Sequence, residues 1–254
     1  MFENKVFEMK AIVNTEDKEF VKMAVDDLKK YVNAIVESVE NVQIQEVKLL
    51  CYFSLLESFA QDEANYPDGG MQKTFTEFVI EYQNICSYIT SVDPVTLFYH
   101  VENKLNGAAD LSEFVDGGVY CPTDQFVRNK ADSLLKKIEE VLGKKKREKL
   151  ECQHRYVDLL YRMRCRLSHE FSSAAVPTTI IHIEPYYISY NRTYFIDGKE
   201  VNDDVWELNI PVEFVKNICL NCIGNYLEKC LRSNRWPTPN DSMGRLCKLS
   251  WYSK

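Results

Sequence analysis

The sequence predicts a mainly α-helical protein with a small β-hairpin or meander inserted before its last long helix. Three observations predict it. Apolar residues recur near a 3.6-residue period along most of the 254-residue chain. The texture turns β-branched and aromatic from Thr178, with an Asp197-Gly198 turn dipeptide inside that stretch. Pro211 then opens a final amphipathic run. Apolar residues make up 45% and charged residues 27%, the balance of a chain with enough apolar surface to offset the cost of ordering. Only 9 Gly and 8 Pro exclude collagen-like and low-complexity classes.

The helices follow in order. Thr15 to Glu40 carries Phe20, Ala24, Val25, Leu28, Tyr31, Val32, Ile35, Val36 and Val39 on one stripe, with Thr15 as N-cap and Glu16 and Asp17 suiting the helix dipole. A second helix is expected over 42–62, ended by the turn chemistry of Tyr66-Pro-Asp-Gly-Gly70. A third, rich in aromatics, is expected over 72–88. Asp93-Pro94 reads as a cap followed by proline at the first helical position, opening a short helix toward Lys104. Residues 106–124 read as an irregular connection with glycines at 107, 117 and 118. A helix over 126–142 ends at Gly143, and one continuous helix is expected from Lys145 to about His169 or Phe171. Strands fall within 178–210, and Pro211 starts the last helix. A single domain, 1–254, is expected, with helical core 15–232, β insertion 178–210 and tail 233–254.

The first ten residues lack an apolar stretch of signal-peptide type, and no run of about 18 apolar residues occurs anywhere, so no membrane span is expected. Nine cysteines without framework spacing fit a reducing compartment, and a cytoplasmic location is expected. The net charge of −7 hides an asymmetry. Arg128 to Phe171 holds 13 basic and 7 acidic residues, a local +6 that makes this segment a candidate contact for a polyanion. A solvated helix surface is the plainer account of such a run.

Chemistry concentrates in residues 156–171, Tyr-Val-Asp-Leu-Leu-Tyr-Arg-Met-Arg-Cys-Arg-Leu-Ser-His-Glu-Phe. Three arginines in alternate positions precede a histidine near a helix end. An imidazole exchanges protons near neutrality, and a guanidinium fork matches phosphate oxygens. Together they stabilise a five-coordinate phosphorus and move a proton, and that chemistry needs no metal. On a regular helix Arg164 and His169 stand about 140° apart, whereas Arg162 and His169 stand about 20° apart. Which arginine serves the histidine is open at this point. A helix surface whose arginines are solvated or paired with Asp158 and Glu151, and whose histidine caps the helix end, is the competing account.

Arg164-Cys-Arg-Leu-Ser-His169 resembles the motif of the HEPN superfamily, the helical domains of many prokaryotic RNA-cutting toxins and defence proteins: an arginine, four to six residues, then a histidine. Leu159-Leu-Tyr161 before the arginine and His-Glu-Phe after it also look alike. Arg162 fits the longer spacing. Cys165 stands where that family commonly has a polar residue. The likeness is sharp over about 16 residues and architectural over roughly 42–232. It implies a HEPN-like helical bundle and a homodimer with one composite cleft. It also implies a metal-independent endoribonuclease of the toxin or antiviral-defence type. In it the 2′-hydroxyl attacks the neighbouring phosphorus, with His169 as acid or base and Arg164, or Arg162, stabilising the transition state. The products implied are a 2′,3′-cyclic phosphate and a 5′-hydroxyl. The resemblance implies no cofactor, RNA as substrate, and a cognate antitoxin or regulatory protein as a further partner. The competing reading is a non-catalytic HEPN-like module that binds RNA, a nucleotide or a partner protein.

Lys144, Lys145, Lys146 and Arg147 form the strongest basic cluster and, with Arg166, are the candidate RNA contacts. A solvated interhelical turn is the plainer account of the cluster. Tyr186, Tyr187, Tyr190, Tyr194 and Phe195 suit either base stacking or cross-strand packing. Cys219-x2-Cys222 lies in a helical pattern without a second pair at zinc spacing and reads as core. His100, His154 and His182 read as surface or internally satisfied histidines.

Overall fold

The computed structural model describes residues 18–64, 70–105, 119–170, 183–196 and 199–237. Several expectations lie outside these residues: the Thr15 cap, the start of the turn at Tyr66, the glycines at 107, 117 and 118, His182, the Asp197-Gly198 dipeptide and the tail beyond Pro237. The described chain is mainly helical. It contains α1 (Lys18–Glu40), α2 (Gln45–Ala64), α3 (Gly70–Tyr82), α4 (Pro94–Val101), a 3-10 turn (Glu102–Lys104), α5 (Gln125–Leu142), α6 (Lys144–Gln153), α7 (Tyr156–Glu170) and α8 (Val212–Ser233). Between α7 and α8 lies a two-stranded antiparallel sheet, β1 (Tyr186–Ile196) and β2 (Lys199–Asn209), registered from Tyr186 opposite Asn209 to Ile196 opposite Lys199.

The chain divides into two compact units. One holds the residues up to Asn84 and those from Cys219, and the other holds Ile85–Ile218. In the first, α1 buries Val21, Val25, Val32 and Val39, a spacing of four and seven that keeps one face inward. The end of α8 contributes Tyr226, whose ring meets Phe59, Phe78 and Tyr82 at centroid distances of 5.5–5.9 Å. These tilted and edge-on contacts suit the aromatic quadrupole. Two expected boundaries move. The third helix stops at Tyr82, where Asn84 N–H donates to Asn221 Oδ1 at 2.8 Å and the chain leaves the helical path. The helix expected from Lys145 to Phe171 is two helices, α6 and α7, interrupted at His154 and Arg155.

The second unit carries the functional candidates. Its core packs Val92, Leu97, Val101 and Leu105 against Ala131, Leu134, Leu135, Ile138 and Leu150. Asp93 is fully buried and caps α4, with Oδ2 accepting the Thr96 amide at 2.8 Å. Its Oδ1 accepts the Tyr187 hydroxyl of β1, which also contacts the Tyr156 hydroxyl of α7. The Asp93 amide donates to the His154 carbonyl at 2.8 Å, and the Tyr156 and Val157 amides donate back to Ser91 and Ile89 at 3.1 and 3.0 Å. Segment 89–93 therefore claims the backbone groups that a continuous α6–α7 helix would have used, which is why that helix breaks. Gly143 breaks the chain earlier, taking φ +84° between α5 and α6, a conformation that favours glycine.

Replacing Asp93 with Ala removes the α4 cap and leaves the Thr96 amide and Tyr187 hydroxyl without their shared acceptor. A loss of about 3 kcal/mol is expected, with a smaller loss for Asp93→Asn, which keeps one carbonyl-type acceptor. Urea unfolding followed by circular dichroism measures both.

Candidate functional site

Helix α7 buries Tyr156, Val157, Leu159, Leu160, Met163 and Leu167 and turns Arg162, Arg166 and His169 outward. Their spacing of four and three places these three on one exposed stripe. Arg155 Nε donates to Asp158 Oδ2 at 2.7 Å across the helix start. The helix stays regular to Glu170, with Ser168 Oγ donating to the Arg164 carbonyl at 2.8 Å. Within one chain this separates half-buried Arg164 from His169 by most of a half-turn, whereas Arg162 shares the face of His169, two turns or about 10 Å along the axis.

The basic run behaves unevenly. It forms the first turn of α6, where the helix dipole adds positive potential to the lysines' own. Lys144 lies 3.9 Å from Glu148, and Arg147 pairs with Glu151 at 3.0 Å and Glu139 at 3.9 Å. Lys145 is exposed. Lys146, Arg162 and Arg166 make no ion pair among the described residues. Arg162 loses part of its hydration, which pulls its affinity for the proton below that of a free guanidinium. Asp158 opposes that shift, and Arg166 adds to it.

Two histidines set aside in the sequence meet at the α6–α7 break. His154, buried at the α6–α7 break, places Nδ1 3.1 Å from Thr96 Oγ1 and Nε2 3.1 Å from Nδ1 of exposed His100. The rings meet edge to face at 5.0 Å. His154 is thus internally satisfied, as the sequence suggests. What the sequence does not suggest is its partner: positions 100 and 154 share no periodicity and meet only through the fold. Burial, then the charge of Arg162, then His100 push the His154 proton affinity down to about 3. Burial, then Lys104, Lys146 and Arg162 lower that of His100. The charge of Arg162 therefore acts on both imidazoles.

The other candidates are decided by burial. Cys219 and Cys222 are enclosed in α8, where desolvation raises both thiols, Cys219 to about 12. Tyr186 and Tyr187 belong to the core, while Tyr190 and Phe195 are exposed toward the far end of the hairpin. Among the described residues no group of three or more His, Cys, Asp or Glu is placed to hold a metal ion. No described helix is long and apolar enough to cross a membrane. No family model matches the chain, and no curated protein or solved structure does either.

Because the folded chain resists protonation of His154 and the unfolded chain does not, acid favours unfolding. The stabilisation is fully present above about pH 6.5 and is lost as pH falls toward about 3, at roughly 1.4 kcal/mol per pH unit. Asp93, raised by burial, has the opposite sign. The difference between the wild type and His154→Gln isolates the histidine: denaturation midpoints taken from pH 7 to pH 4 should fall more steeply for the wild type.

Proposed function

We propose that this chain is a metal-independent endoribonuclease of the HEPN-like kind, of toxin or antiviral-defence type, acting as a homodimer. The observation that supports it most is the exposed stripe of Arg162, Arg166 and His169 on one regular helix, without ion-pair partners among the described residues, in a chain of net charge −7. Cations left unpaired in an acidic protein cost little once a polyanion covers them.

In this reading RNA lies along the α7 stripe. One proton leaves the 2′-hydroxyl as its oxygen attacks the adjacent phosphorus, the P–O5′ bond breaks, and a proton is delivered to the departing 5′-oxygen. His169 performs one of these transfers. Arg162 faces the charge that develops on the non-bridging oxygens. DNA is inert because it lacks the nucleophile. Arg164 of one copy serves His169 of another if two α7 helices face each other, since one regular helix keeps them apart. A non-catalytic RNA-binding module is the second reading. It is favoured by that same separation and by Cys165 in place of a polar residue.

The purified chain, incubated with single-stranded RNA and a chelator, is expected to yield fragments with 2′,3′-cyclic phosphate and 5′-hydroxyl ends. His169→Ala should lower the rate at least 100-fold, in the range of a lost general acid–base group. Arg162→Ala should lower it comparably. A mixture of His169→Ala and Arg164→Ala chains should regain part of the activity if the cleft is shared between copies. Intact RNA bound by the protein, with His169→Ala binding equally well, favours the module instead.

A further inference from the structure

The His100–His154 pair takes no part in that reaction. It joins two elements 54 positions apart in the chain, with His100 in the last turn of α4 and His154 at the α6–α7 break. His154 Nε2 and His100 Nδ1 lie 3.1 Å apart, and the rings cross at 84°. Thr96 Oγ1, one turn before His100 on α4, stands 3.1 Å from Nδ1 of His154. His154 is buried, so its ring is held in place, while His100 opens to solvent.

We propose that His100 Nδ1 and His154 Nε2 form a two-imidazole site for a transition-metal dication of the zinc, nickel or copper class, with the remaining coordination positions left to water. A tetrahedral metal with nitrogen ligands at about 2.0–2.1 Å holds those nitrogens about 3.3 Å apart. The two ring nitrogens already stand 3.1 Å apart, so a slight parting and tilting of the exposed His100 ring admits the ion. Thr96 supplies what a ligating histidine needs behind it: an oxygen that accepts the proton of the other ring nitrogen and so fixes tautomer and orientation. Solvent reaches the pair from the His100 side, which gives the ion a path in. Among the described residues no third His, Cys, Asp or Glu completes the set, so the site is an open one.

The ion takes the place of the proton between the rings, and neither imidazole changes charge. Without metal, His154 Nε2–H donates to His100 Nδ1 and the Thr96 hydroxyl donates to His154 Nδ1. With metal, the His154 proton resides on Nδ1 and is donated to Thr96 Oγ1, the His100 proton stays on Nε2, and the two facing lone pairs bind the ion. Each ring keeps one proton throughout. Thr96 is fixed for this role because its amide is held by Asp93. Neighbouring cations oppose a dication: Lys104 Nζ lies 3.5 Å from the His100 carbonyl, and the charge of Arg162 acts on both rings. Binding therefore rests on metal–imidazole bonds rather than on attraction. That selects metals that favour nitrogen and rejects magnesium and calcium, which take oxygen ligands. The inference does not need the proposed cleavage to occur.

The test uses the full chain, freed of metal with a chelator, with zinc chloride as the probe and magnesium chloride as the control. Imidazole NMR follows the chain's 4 histidines. Zinc should move the His100 and His154 signals together, and magnesium should move neither. Zinc should also raise the thermal-unfolding midpoint, because it ties α4 to the α6–α7 break and binds only the folded arrangement. His100→Ala, at an exposed position, should fold normally and lose both the zinc response of His154 and the rise in midpoint. Thr96→Ser keeps the hydroxyl and should bind like the wild type, whereas Thr96→Val should bind about tenfold more weakly or worse. Zinc that moves His100 alone marks capture by a single surface ring and overturns the proposal. So does zinc that moves neither ring, a midpoint rise that survives His100→Ala, or a response to magnesium equal to that to zinc. Cleavage is assayed separately on the chelator-treated chain: intact RNA there defeats the nuclease reading and leaves the zinc site standing, and cleavage there with unmoved imidazoles does the reverse.

Discussion

The second unit is organised around one buried carboxylate. Asp93 caps α4, accepts a hydroxyl from β1 and, through its own amide, holds the carbonyl of His154. A carboxylate taken fully from water is costly unless its lone pairs are used, and here α4 and β1 supply the donors that use them. The break between α6 and α7 follows from the same knot, because residues 154–157 give backbone bonds to segment 89–93 rather than to a continuing helix. With that break in place, His154 turns inward to Thr96 and His100.

Charge is the second constraint. Three cations of the basic segment are matched locally: Arg155 by Asp158, Arg147 by Glu139 and Glu151, Lys144 loosely by Glu148. The Lys144 and Arg147 pairs are solvent-facing, weak and do little for stability, whereas Asp158 is buried beside Arg155. What they decide is which cations remain available. Lys145, Lys146, Lys149, Arg162 and Arg166 are among those that make no ion pair with the described residues.

Much of the architecture is legible in the chain because it is local. The valine spacing of α1, the Asp93-Pro94 start of α4, the glycine after α5 and the proline before α8 each act within a turn or two. The end of α3 at Tyr82 and the split at His154 are not legible, since both depend on partners far along the sequence: Asn221 in one case, Ser91 and Asp93 in the other. The stripe of Arg162, Arg166 and His169 could be drawn on a helical wheel. The pairing of His100 with His154 could not, because neither position carries a periodic or spacing signal.

The sequence by itself determined a mainly helical chain with one hairpin, and it determined where positive charge and an arginine–histidine helix would lie, because helix faces and charge runs are properties of neighbouring residues. Only the tertiary structure decided which cations stay unpaired, that Arg164 and His169 point apart on an unbroken α7, and that two imidazoles 54 positions apart share a hydrogen bond. Those outcomes depend on which backbone and side-chain groups compete for the same partners once distant segments are packed together, a competition that no local pattern records.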